Sequence, residues 1–151
     1  MTGLWDWAVD AYARPGVAQA CLELQDRRGL SVPLLLWAAW SGANGRSPDL
    51  EAGARMARTW EEEAVGPLRR LRRALKALGE DADREAVRNQ VKAVELDAER
   101  RLLAALERIS ALPGAPRPPP ELLSAAAAAY GQPMSAESFA DLLRGLNPGA
   151  A

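Results

Sequence analysis

The sequence predicts an all-α protein, and three observations carry that expectation. Alternating runs of β-branched and aromatic residues, the mark of strands, do not occur, while Ala, Leu, Arg and Glu dominate. Glycine and proline stop signals cut the 151 residues into segments of helical length. Two long stretches then repeat apolar residues three or four positions apart: Trp60, Ala64, Leu68, Leu71, Leu75 and Leu78, followed by Val87, Val91, Val94, Ala98, Leu102, Ala105 and Ile109.

Taken in order, Thr2 is positioned to cap a first helix of about residues 3–13, which the ARPG turn at 13–16 ends. A second helix, about 16–28, places Val17, Cys21 and Leu24 on one face and stops at Gly29. Ser31 caps a third, about 32–42, apolar nearly all round and therefore expected to be buried. After the loop around Gly42, Asn44 and Gly45, Ser47 with Pro48 reads as an N-cap and first helical residue. The two seams make a long antiparallel hairpin, about 48–79 and 83–111, with arms of about 45 Å at 1.5 Å per residue. Three shorter helices pack on it from the N-terminal side. Pro67 falls inside the first arm, and because the apolar register runs on past it, one kinked helix is expected rather than two. PGAPRPPP at 113–120 reads as a stiff linker. The predicted organisation is thus a bundle over 1–112, a linker over 113–120 and a helical tail over 121–151. That tail is too short to form its own core, so it docks, binds something else or stays mobile, and the linker predicts that it is separable.

Composition excludes several functions. There is no histidine, so neither imidazole catalysis nor the commonest metal ligand is available. Cys21 is the only cysteine, which rules out an internal disulfide and a four-thiolate zinc site, and its place on the apolar face of the second helix gives it a packing role. No metal and no cofactor is expected. The formal net charge is −1, and the basic run LRRLRRALK has no interleaved aromatics and faces the acidic residues of 80–99, so nucleic-acid binding is not expected. The longest uncharged apolar run, residues 32–40, is far shorter than the ~20 residues a membrane span needs. With no basic leader at the N-terminus, a cytoplasmic protein without membrane insertion is expected.

The opening stretch, LWDWAVDAYARPGV, holds two of the five tryptophans. Its polar stripe is Asp6, Asp10 and Arg14, and carboxylates do not suit a membrane-surface helix. Burial between other helices is the plain expectation. Trp5, Trp7, Trp37, Trp40 and Trp60 together form the candidate aromatic groove, because an indole N–H needs an acceptor and keeps such layers partly polar. The stretch through LLLWAAW, continued by TWEEEAVGPLRRLRRALK and VKAVELDAERRLL, resembles a family of uncharacterised proteobacterial proteins of about this length. The resemblance covers roughly residues 4–106. It implies an all-helical bacterial protein and brings no activity or functional residues with it.

A second candidate lies at the proline. With the hairpin turn near residue 80, Gly66 and Pro67 stand level with Glu95 and Val94, and Glu62 with Glu99. Lys92, Glu95 and Glu99 share one helical face. The candidate polar site is therefore Glu62, Arg69, Lys92, Glu95 and Glu99. Clustered carboxylates can hold a divalent cation or work as acid/base pairs. Alternatively, Lys92, Arg69 and Arg72 pair with them and set helix register. The leading functional expectation is a non-enzymatic interaction or regulatory protein with an unknown protein partner, acting through the aromatic groove or the tail. The alternative is a small-molecule or metal-binding protein, an enzyme included, with its pocket at the Gly66-Pro67 kink. The seams can close on each other or on a second copy, so a homodimer is compatible with the pattern.

Overall fold

The computed structural model describes residues 2–110 and 117–147. Every regular element among them is a helix: α1 (Leu4–Tyr12), α2 (Val17–Arg28), α3 (Val32–Ala43), α4 (Leu50–Trp60), a π-helical turn (Glu61–Val65), α5 (Gly66–Ala77), α6 (Ala82–Arg108), α7 (Pro119–Ala129), a 3-10 turn (Ala136–Phe139) and α8 (Ala140–Leu146). The protein is all-α, as the sequence predicts. The stretch from α4 through α5 and the long α6 form the expected hairpin, turning over residues 78–81 with Gly79 at φ 95° and Asp81 capping α6.

Helix α3 sits at the centre because it has no polar face to keep wet. All residues from Leu34 to Ser41 are buried, and α1, α2, α4, α6 and α7 pack around it. Ser31 caps it as expected. The indole N–H groups of this core find acceptors: Trp37 donates to Ser110 Oγ at 2.8 Å and Trp40 to the Thr2 carbonyl at 3.2 Å. Helix α4 approaches α3 closely at Gly53, where any Cβ would overlap the Trp37 ring.

Two caps differ from the expected ones. Gly3 precedes α1, and the orphan N–H of Leu4 is taken by Glu107 Oε1 of α6 at 3.0 Å, so a distant carboxylate replaces Thr2. Helix α4 starts at Leu50, capped by Asp49 onto Ala52 N, two residues after the proline, whose ring is buried.

The proline acts differently from a simple kink. Pro67 cannot donate to the carbonyl of Glu63, and its ring would crowd it. The chain answers with the π turn just before it: the Gly66 N–H donates to the Glu61 carbonyl five residues back. A π turn inserts one residue, which rotates all that follows by about 100°. The predicted apolar register therefore does not run on through the break. Leu71 and Leu78 turn out to 47% and 60% exposure, while Arg69 and Arg72 take the inner face. On α6 the buried line is Val91, Glu95, Ala98, Leu102 and Ala105, passing through Glu95 where Val94, 53% exposed, was expected.

The tail docks. Leu122, Leu123, Ala126, Phe139 and Leu142 are essentially inaccessible, and all but Leu122 belong to the same apolar cluster as α3. Arg58 of α4 donates to the Tyr130 carbonyl and lies over its ring, and Arg14 donates to the Leu146 carbonyl at 2.6 Å. Of the expected linker, residues 113–116 lie outside the described residues, while Pro119 and Pro120 open α7, since proline is well suited to a first helical turn.

Two outcomes are expected. A chain ending at residue 112 loses cooperative unfolding in thermal denaturation followed by circular dichroism, because it strips the cover from α3; a sharp transition near that of the full chain would refute this. Gly66→Ala destabilises by about 1–3 kcal/mol in chemical denaturation, because its Cβ would meet the Glu61 carbonyl at 2.5 Å.

Candidate functional site

The rotation imposed by the π turn builds an ionic cluster inside the hairpin. Arg72 Nε donates to Glu95 Oε2 at 2.6 Å and its Nη2 reaches Glu95 Oε1 at 3.3 Å. Arg69 stands between two acids, with Nη1 2.7 Å from Glu61 Oε1 and Nε 3.8 Å from Glu95 Oε1. Side chains on a helix lean toward its N-terminus. Glu95 therefore reaches back toward the level of Val91 and Arg72 toward that of Arg69, and the two meet although their Cα positions are not level.

Of the predicted polar site, the structure brings together Arg69 and Glu95, with Glu99 beside them. Glu62 and Lys92 are exposed. The extra residue of the π turn puts Glu61 inward and Glu62 out, while Lys92 follows buried Val91 on the outer side of α6. Arg72 completes the cluster. The space at the proline is filled, since Gly66 packs against the Glu61 carbonyl and lies close to Arg70. Among the described residues no three Asp, Glu, Cys or His side chains gather as a metal site would need.

Glu99 behaves differently from Glu95. It is half-buried, and no hydrogen bond or ion pair reaches it among the described residues. Burial, reinforced by the Glu95 charge and opposed by Arg69, pushes its carboxyl up to about 7. It faces a groove of about 370 Å³ between α1, α3 and α6. Trp5, Val9 and Tyr12 form the α1 wall, Leu36 belongs to α3, and Leu96 and Leu103 flank Glu99 on α6. Val9, Tyr12 and Leu96 remain 39–55% exposed at this groove, an unusual concentration of open apolar surface. Tyr12 has its phenol raised above the ordinary value, chiefly by burial.

The five indoles do not share one place. Trp37 and Trp40 are core, Trp7 and Trp60 are half-buried against it, and Trp5 alone lines the groove, with the Arg100 guanidinium 4.9 Å from its ring centre. The groove thus takes one residue from each predicted candidate, Trp5 and Glu99. The remaining wall carries a faint sequence signal: Leu96, Glu99 and Leu103 at i, i+3 and i+7 form a second α6 face beside the seam. Cys21 is buried and its thiol is pushed up to about 12, so it is no nucleophile.

Opposite responses are expected from two isosteric changes. Glu95→Gln leaves Arg72 without its counter-ion and costs roughly 1–3 kcal/mol at neutral pH. Glu99 works the other way. A carboxyl raised from 4.5 to about 7 binds its proton more tightly when folded, so stability falls as pH rises through that interval. Glu99→Gln removes this slope and raises the melting temperature at pH 8, with little change at pH 4. Melting curves of both variants at the two pH values decide it; a stabilising Glu95→Gln or a destabilising Glu99→Gln at pH 8 would overturn the assignment.

No helix of the described residues is long and apolar enough to cross a membrane. No curated protein matches the chain, and no solved structure matches it. A family model does match, over residues 3–106, and its description is "Protein of unknown function (DUF2390)". With that match covering the helices that build the groove and the ionic cluster, this all-α chain belongs to that family of proteins of unknown function.

Proposed function

We propose that this protein is a non-enzymatic binding protein and that the groove between α1, α3 and α6 is its binding surface. The observation that carries the reading is the half-exposure of Val9, Tyr12 and Leu96 around an open apolar cleft. Leaving apolar area in water forgoes about 25 cal/mol per Å² of burial, and large side chains concentrated at one concavity mark sites that something else covers. The lining supports binding over catalysis: apart from Glu99, the Tyr12 phenol and the Trp5 indole N–H it is apolar or amide, and among the described residues no thiol, hydroxyl nucleophile or amine lines it. The ionic cluster behind it acts as support, holding α6 in register so that Glu99 faces the cleft.

Site-specific photo-crosslinking in the native bacterium tests this. A benzophenone side chain at position 9 or 96 is expected to capture the same molecule, read as one mass shift of the intact chain. The same group at position 55, exposed on α4 and outside the groove, captures nothing. Equal capture at all three positions, or none at 9 and 96, would reject the groove.

A further inference from the structure

We propose that the groove between α1, α3 and α6 binds a small organic cation, an ammonium carried on an apolar body, with Glu99 as its counter-ion. The inference rests on the groove being the binding surface and adds the chemistry of what enters it. Among the described residues Glu99 is the only charged one in the groove lining. Behind it, three carboxylates, Glu61, Glu95 and Glu99, stand against two guanidiniums. Arg72 is committed to Glu95, and Arg69 is shared between Glu61 and Glu95. The surplus negative charge falls on Glu99, which receives no hydrogen bond among the described residues. A half-buried carboxylate that receives no hydrogen bond is costly; the Arg69 and Arg72 charges offset part of that cost, and a proton or a bound cation relieves the rest.

The opposite wall suits a cation too. Ring faces attract positive charge through their quadrupole, and α1 supplies Trp5 and Tyr12. Trp5 already holds a guanidinium near its ring, that of Arg100, which is not a groove residue. At about 370 Å³ the groove lies at the small end of ligand sites, roughly 300–1,000 Å³, so it fits a small molecule and not a partner helix. The apolar body lies against Val9, Leu36, Leu96 and Leu103.

The groups that face or influence Glu99 are Glu95 on its own helix, Glu61 on the π turn, Arg69 and Arg72 on α5, and Tyr12 on α1. Because Glu99 titrates at about 7, proton and ammonium compete for it. The ionised fraction drops about tenfold between pH 8 and pH 6, and ammonium affinity follows it.

Calorimetric titration of the full chain with phenethylammonium and with 2-phenylethanol, its neutral counterpart, tests the inference. At pH 8 the ammonium is expected to bind at least about tenfold more tightly than the alcohol. That preference shrinks about tenfold at pH 6 and vanishes in Glu99→Gln, whose folding is checked by its melting curve. The pH comparison on the unaltered chain gives the same answer if that variant does not fold. Equal affinities at pH 8, or a preference that survives Glu99→Gln, would overturn the inference while leaving the groove standing. No binding of either ligand at millimolar concentration would overturn it as well, and crosslinking then judges the groove separately.

Discussion

The bond from the Gly66 N–H to the Glu61 carbonyl is the constraint on which the rest of the hairpin depends. Pro67 makes an ordinary helical turn impossible at that level, and the chain absorbs the fault by inserting one residue rather than by breaking. Everything downstream is rotated. Two arginines turn inward, two leucines turn outward, and the one carboxylate in the α6 seam acquires the partners that make its burial tolerable. Gly66 is part of the same solution, because no side chain fits beside that carbonyl.

Fold class, helix order and the hairpin were legible in the sequence because they depend on local signals: caps, stop residues and apolar spacing. Ser31 and Gly29 lie where such signals place them. The rotation of α5 was not legible. Leucines at 68, 71, 75 and 78 continue the helical period through the proline, and nothing local distinguishes a kink from an inserted residue. Reading Glu62 for Glu61 is the same one-residue error. Arg72 was in view as a partner of the carboxylates, yet assigning it to Glu95 requires the lean of side chains along both helices. The fate of the tail was left open for another reason. The sequence allowed it to dock, to bind elsewhere or to stay mobile, and whether a short helix docks depends on whether a distant surface, here that of α3, lacks a cover.

The groove was half legible. Trp5 and Glu99 were each singled out, for reasons belonging to different sites, and only the packing of α1 beside α6 brings them together. Leu96 and Leu103 are masked in the sequence by the stronger register of Val91, Val94, Ala98 and Leu102 beside them. A long helix that serves two neighbours carries two apolar faces, and their superposed periods blur each other; the weak overall amphipathicity of α6 is the trace of that double duty.

The bonds that join the start of the chain to its end have a consequence for how the protein is made. Arg14 reaches a carbonyl 132 positions away and Arg58 one 72 positions away, while α3 is covered by a helix synthesised long after it. Such pairings raise the mean sequence separation of native contacts, which slows folding relative to a local bundle. During translation α3, with its two tryptophans, emerges early and lacks its last cover until α7 leaves the ribosome. That early emergence of an apolar helix is the interval in which chaperones and proteases compete with folding.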